Sequence, residues 1–111
     1  MATKKQAVIA DLSIFPIGEG TSLGDSVRKA FQAMSRVKGV KLQPTAMSTI
    51  IEADELGKVI ETLEKAHEAI LSTGAQRIHI ALRVDHRLDR PHDADYKVGR
   101  ITGMVQKDAS N

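Results

Sequence analysis

The stretch QRIHIALRVD, residues 76–85, alternates almost without interruption: Ile78, Ile80, Leu82 and Val84 fall on one side, His79, Ala81, Arg83 and Asp85 on the other. Successive side chains of a strand point to opposite faces, so this pattern predicts a strand over 76–85 with one apolar and one largely polar face. Residues 7–15 repeat it, with Val8, Ala10, Leu12 and Ile14 opposed to Ile9, Asp11, Ser13 and Phe15. The chain therefore carries a half-polar strand near its start and a second one late in the sequence.

Between them the punctuation changes. PIGEGTS supplies Pro16, Gly18 and Gly20, which is loop chemistry, and Ser22 followed by Asp25 reads as a helix start. Leu23, Val27, Ala30, Phe31, Met34 and Val37 then recur at helical spacing, predicting a helix over 22–38 with Gly39 at a left-handed C-terminal cap. Val40 to Pro44 reads as a short strand, PTAM as a turn, and Ser48 to Glu52 as the partner strand. Asp54 is the expected N-cap of a second helix. Its buried stripe is Leu56, Val59, Leu63, Ala66 and Ile70, Glu61 and Lys65 have the favourable i,i+4 order, and Gly74 ends it. After the late strand, HRLDRPHDAD is polar, and Val98, Ile101 and Val105 suggest a short final helix weakened by Gly99 and Gly103.

The order β-α-β-β-α-β with a tail predicts an α+β protein resembling the ferredoxin-like sandwich, a four-stranded antiparallel sheet with two helices on one face. One domain is expected over 1–111, with its core in 7–88 and a C-terminal tail in 89–111. Burying the apolar sides under the helices leaves Asp11, Ser13, His79, Arg83 and Asp85 on an open sheet face that must meet water, a ligand or another subunit.

Composition narrows the function. At 41% apolar and 27% charged residues over 111 positions, the chain is an ordinary globular domain and not a disordered one. No apolar run approaches the ~20 residues of a membrane span, and MATKKQ precedes no signal-peptide core distinct from the first strand, so a cytoplasmic protein is expected. The absence of cysteine excludes disulfides, thiol catalysis and cysteine-held metals. Sixteen basic and fourteen acidic residues are interspersed, giving a net charge of +2 without a basic stripe. Phe15, Phe31 and Tyr96 are the whole aromatic complement, too few for a stacking platform, so nucleic-acid binding is not expected.

Neither catalysis nor metal binding is spelled out. GEGTS lacks the spacing of a dinucleotide fingerprint and the Gly-Lys-Ser/Thr ending of a P-loop. His86, Asp89, His92, Asp93 and Asp95 crowd one segment, yet their spacing matches no zinc or calcium motif. His67 lies beside the apolar stripe of the second helix, where a packed or half-exposed histidine is the simplest reading. His79 and Arg83 on the open face are better suited to subunit contacts than to acid–base work. No paired-carboxylate or Ser-His-Asp arrangement stands out in the sequence.

Four pieces carry a resemblance: PIGEGTSLGDSV at 16–27, AMSTIIEAD at 46–54, KAHEAILSTGAQRIHIALRVDHRLD at 65–89 and KVGRI at 97–101. Together, over roughly residues 7 to 102, they resemble the thiamine-binding family of small YkoF-like, UPF0045-type proteins. The resemblance implies a ferredoxin-like fold, assembly into dimers or tetramers, and non-catalytic binding of thiamine or its hydroxymethylpyrimidine part near subunit contacts. Two departures from the family pattern bear on the ligand. Where the family usually has Pro-Met-Gly-Thr and Glu-Gly, this chain has Ala46-Met47-Ser48-Thr49 and Glu52-Ala53, and the added side chains restrict how closely a ligand approaches the backbone.

An aminopyrimidine needs fixed hydrogen-bond partners and an apolar or sulfur-bearing wall. Ser48, Thr49 and Glu52 would supply the first and Met47 the second, with Glu52 aimed at a ring nitrogen or a cationic thiazolium. Ser22 joins them as a contact compatible with helix capping. The plainer alternative leaves Glu52 in solvent before the second helix and Met47 filling a gap. Two other functions stay open: a regulatory module binding another small molecule at a subunit interface, as ACT-like domains do, and a structural oligomer without ligand.

Overall fold

The computed structural model describes residues 7–18, 20, 23–89 and 94–109, with side chains to 104. Strand β1 (Ala7–Pro16) leads to helix α1 (Gly24–Met34), the hairpin β2 (Val40–Pro44) and β3 (Thr49–Ala53), helix α2 (Leu56–Leu71), strand β4 (Ile78–Arg87) and helix α3 (Ala94–Ala109). The sheet is antiparallel throughout, in the order β2-β3-β1-β4. This is the ferredoxin-like sandwich that the periodicity predicts.

Register follows from the alternation. Val8, Ala10 and Leu12 pair with His86, Val84 and Leu82 of β4, and Ala10 and Leu12 pair on the other side with Ile51 and Thr49 of β3. Directly opposed residues share a face, so the apolar sets of three strands coincide. Val8, Ala10, Leu12, Ile14, Ile51 and Ala53 meet Ala30 and Met34 of α1 and Val59, Ala66 and Ile70 of α2 in one core. Thr62 is buried in the same layer because its hydroxyl donates to the Lys58 carbonyl at 2.7 Å, which removes the cost of an unpaired polar group.

The element ends differ from the sequence reading in instructive ways. Helix α1 stops at Met34, where Ser35 N–H returns to the Phe31 carbonyl, and Gly39 with φ 83° turns the chain only after four irregular residues. Gly74, φ 89°, does sit at the end of α2, its N–H donating to the Leu71 carbonyl. Asp54 is not the N-cap of α2. That position is held by Glu55 in extended conformation with no side-chain cap, because β3 runs on to Ala53 and leaves only two residues before the helix. Ser22 lies outside the described residues, and the residue flanking α1 is Leu23, also without a side-chain cap.

The final helix is longer than expected, sixteen residues, and begins over the open face. Ala94 N–H donates to Glu52 Oε1 at 2.5 Å, Lys41 reaches Asp95 at 3.2 Å, and Lys97 pairs with Asp85. Glu52, Lys41 and Asp85 all point away from the core. Beyond that first turn Val98 and Ile101 are each 64% exposed, so polar contacts rather than apolar burial hold α3 to the sheet.

Candidate functional site

Thr45 organises the turn joining β2 to β3. Its hydroxyl donates to the Ser48 carbonyl at 2.9 Å and accepts the Ser48 N–H at 3.0 Å and the Met47 N–H at 3.3 Å; its own N–H reaches the same carbonyl at 2.7 Å. A side chain so used satisfies the turn's backbone from within, which fixes the conformation without glycine.

The turn forms one wall of a hollow of about 490 Å³. Leu12 and Ile14 of β1 make its floor, Val27 and Phe31 of α1 the opposite wall, and Thr45 to Thr49 the near side. The interior is apolar and the hydroxyls gather at one edge. Of the expected site residues, Met47, Ser48 and Thr49 line this hollow; Met47 stands at its mouth, 85% exposed.

Glu52 does not line it. Thr49 is opposite Leu12 and faces the helices, whereas Glu52 is opposite Ile9 and Lys41 and faces the other way. Three residues along a strand change the face, so one side of the sheet cannot present both. The Glu52 carboxylate is largely covered, 13% exposed, where it accepts the first N–H of α3 and lies 3.7 Å from Lys41. An acidic group at a helix N-terminus is favourable on both hydrogen-bonding and dipole grounds.

The open face carries a second polar group, around Asp11. Asp11 Oδ2 accepts from Arg83 at 2.7 Å, while Oδ1 is closed off from solvent and receives no hydrogen bond of good geometry. The Ser48 hydroxyl stands beside this carboxylate, and together with the Arg83 guanidinium it holds the Asp11 carboxyl below the usual carboxylate range. Nearby, Phe15 and His79 stack with ring centres 5.0 Å apart. Asp85 is likewise lowered, by its hydrogen bond from Lys97, and Arg87 is raised by Asp89. In the polar segment after β4, His92 and Asp93 lie outside the described residues, Asp89 is engaged by Arg87 and Asp95 by Lys41. Among the described residues no three His, Asp or Glu side chains converge as a metal site, and no helix is long and apolar enough to cross a membrane.

Comparison with known proteins agrees with this architecture. A UPF0045 protein of Methanothermobacter thermautotrophicus is 34% identical over 99 residues, covering 88% of this chain and 99% of its own length. A UPF0045 protein of Synechocystis is 38% identical over 103 residues, covering 93% and 84% respectively. The crystal structure of the hypothetical protein MJ1052 from Methanocaldococcus jannaschii superposes with a TM-score of 0.78 at 28% identity, over 86% of this chain and 96% of that one. The family model described as thiamine-binding protein matches residues 10–102, a span that takes in most of β1, the hollow and the first half of α3. With sequence, fold and span in agreement, the chain belongs to the thiamine-binding protein family.

Proposed function

We propose that this protein binds thiamine or a related hydroxymethylpyrimidine without catalysis, in the hollow between α1 and the β2–β3 turn, and works as a homo-oligomer. The observation that carries the reading is the hollow itself. Its volume of about 490 Å³ lies within the range usual for small-molecule sites, and it combines an apolar interior with hydroxyls on one edge. A flat heterocycle has the matching shape: a ring to lay against Leu12 and Phe31, and ring and exocyclic nitrogens to turn toward Ser48 and Thr49. Met47, unbranched and at the mouth, is placed to fold against the ring. The Thr45 and Ser48 hydroxyls are tied to the turn, which suits holding a ligand better than attacking one.

Assembly is supported by what the monomer leaves uncovered. Strand β4 ends the sheet, and on its helix-side face Ile80 and Val84 are 42% and 41% exposed. Among the described residues no strand pairs with this partly apolar edge, ten residues long, which favours pairing with a second copy.

A thermal-shift panel tests the ligand. Thiamine or hydroxymethylpyrimidine at ~100 times its dissociation constant stabilises a domain by ~2.7 kcal/mol, which is a rise of several degrees here. A shift with an amino acid and none with any pyrimidine would replace this reading with the ACT-like one. Light scattering on the eluting protein tests assembly, and a monomer at micromolar concentration would refute it.

A further inference from the structure

We propose that Asp11, on the open face, is a positioning residue for the hollow: it takes the Ser48 hydroxyl hydrogen and leaves Ser48 Oγ acceptor-only, so that the site selects a heterocycle bearing an amino group over its oxo counterpart. The inference rests on the pyrimidine reading above and deepens it.

Hydrogens and lone pairs around one turn leave the Ser48 hydrogen a single good acceptor. Thr45 Oγ1 receives two N–H groups, from Met47 and Ser48, and gives its own hydrogen to the Ser48 carbonyl. Both its lone pairs and its hydrogen are therefore spent. The Ser48 hydroxyl lies 3.2 Å from Thr45 Oγ1, but a third hydrogen has no lone pair there to meet. On the other side stands the Asp11 carboxylate, which the Ser48 hydroxyl and Arg83 favour in its charged form and whose Oδ1 is shut off from solvent without a hydrogen-bond donor. Hydrogen bonds to a charged acceptor are roughly twice as strong as neutral ones, so a small rotation of Ser48 toward Asp11 is the favoured use of its hydrogen. It also removes a buried unsatisfied oxygen, which native proteins rarely tolerate.

The surroundings keep Asp11 in that role. Arg83, directly opposite on β4, occupies Oδ2 and keeps the group charged. Ile50 is opposite on β3 and gives no donor. Glu52 and Asp85 both lie opposite Ile9, one step along the face, and each is already engaged, by Ala94 and Lys41 and by Lys97 respectively. With its hydrogen committed to Asp11, Ser48 can only accept from a bound ligand. An exocyclic amino group satisfies it; a carbonyl at the same position meets lone pairs with lone pairs, and a site built for one hydrogen-bond polarity rejects the other strongly.

The test titrates 4-amino-5-hydroxymethyl-2-methylpyrimidine and its 4-oxo analogue calorimetrically into the wild type, Asp11→Asn and Ser48→Ala. In Asp11→Asn the donor-only Arg83 draws the carboxamide oxygen to its side, which places the NH2 against Ser48 and turns the Ser48 hydrogen outward. The wild type should favour the amino compound by about tenfold or more, and Asp11→Asn and Ser48→Ala should each shrink that preference to about threefold or less. A general loss of structure would weaken both compounds alike and leave their ratio in place. An unchanged ratio in Asp11→Asn overturns the proposal. Should the wild type bind neither compound, the pyrimidine reading fails, and a double-mutant cycle of Asp11→Asn and Ser48→Ala on the urea midpoint of the ligand-free protein then judges the link. Non-additive losses are expected, and additive ones overturn it.

Discussion

The two faces of the sheet are built by different physics. Under α1 and α2, the side chains of Leu12, Ile51, Val59 and Ile70 are no more than 2% exposed, and Thr62, the sole buried polar residue among those described, is satisfied by the backbone of its own helix. Across the sheet the same strands present ions: Asp11 with Arg83, Glu52 with Lys41 and the start of α3, Asp85 with Lys97. Apolar burial stabilises the first face in rough proportion to area, whereas exposed ion pairs contribute little each and lose that little in salt. The hollow opens where the two regimes meet, at the turn whose residue 48 neighbours the polar face and whose residue 49 faces the helices.

The sharpest way to break this contrast is a pair of neighbours. Ile51→Ala removes a fully buried side chain and should cost about 2–5 kcal/mol in urea unfolding, while Ile50→Ala, one position earlier and on the opposite face, should cost well under half of that. Similar losses at both positions would mean that the open face is as fully packed as the core.

Next in size is the contrast between Thr49 and Glu52. Thr49→Val should weaken pyrimidine binding about tenfold with little change in stability. Glu52→Gln should leave binding unchanged, cost about 1 kcal/mol, and speed amide hydrogen exchange at the first turn of α3. A large affinity loss in Glu52→Gln would return the carboxylate to the ligand.

A smaller effect concerns pH. Asp11 has a folded pKa below its unfolded value near 3.9, so its contribution to stability is complete above that pH and is lost as pH falls through the folded pKa. The urea midpoint of Asp11→Asn should therefore change less between pH 5 and pH 2.5 than that of the wild type. Equal acid sensitivity would show that Asp11 is not favoured in its charged form. Smallest of all, raising salt from 0.05 to 0.5 M should slightly speed amide hydrogen exchange at the start of α3, held by Lys41, Asp95, Lys97 and Asp85, without moving the core amides.

Strand alternation made β1, β4 and the open face of the sheet legible, because one-sided burial imposes a period of two on both strands. Helix ends were less legible: Asp54 has the right chemistry for a cap, but the length of β3 decides where α2 begins, and that depends on pairing with β1. The candidate site was legible as a segment and not as a surface. Met47, Ser48, Thr49 and Glu52 are neighbours in sequence, and the odd step from 49 to 52 separates them across the sheet, a parity the sequence contained. Asp11 was placed on the open face by the same parity, but its bond to Arg83 and its approach to Ser48 required three strands in register, information that no single segment carries.

The face that takes the ligand is the decisive observation. Amide chemical-shift mapping on titration with hydroxymethylpyrimidine should show the largest changes at Val27, Phe31 and residues 45–49, with Lys41, Glu52 and Ala94 unmoved. Changes centred on Glu52, Lys41 and the start of α3 would place the ligand on the open face and contradict it.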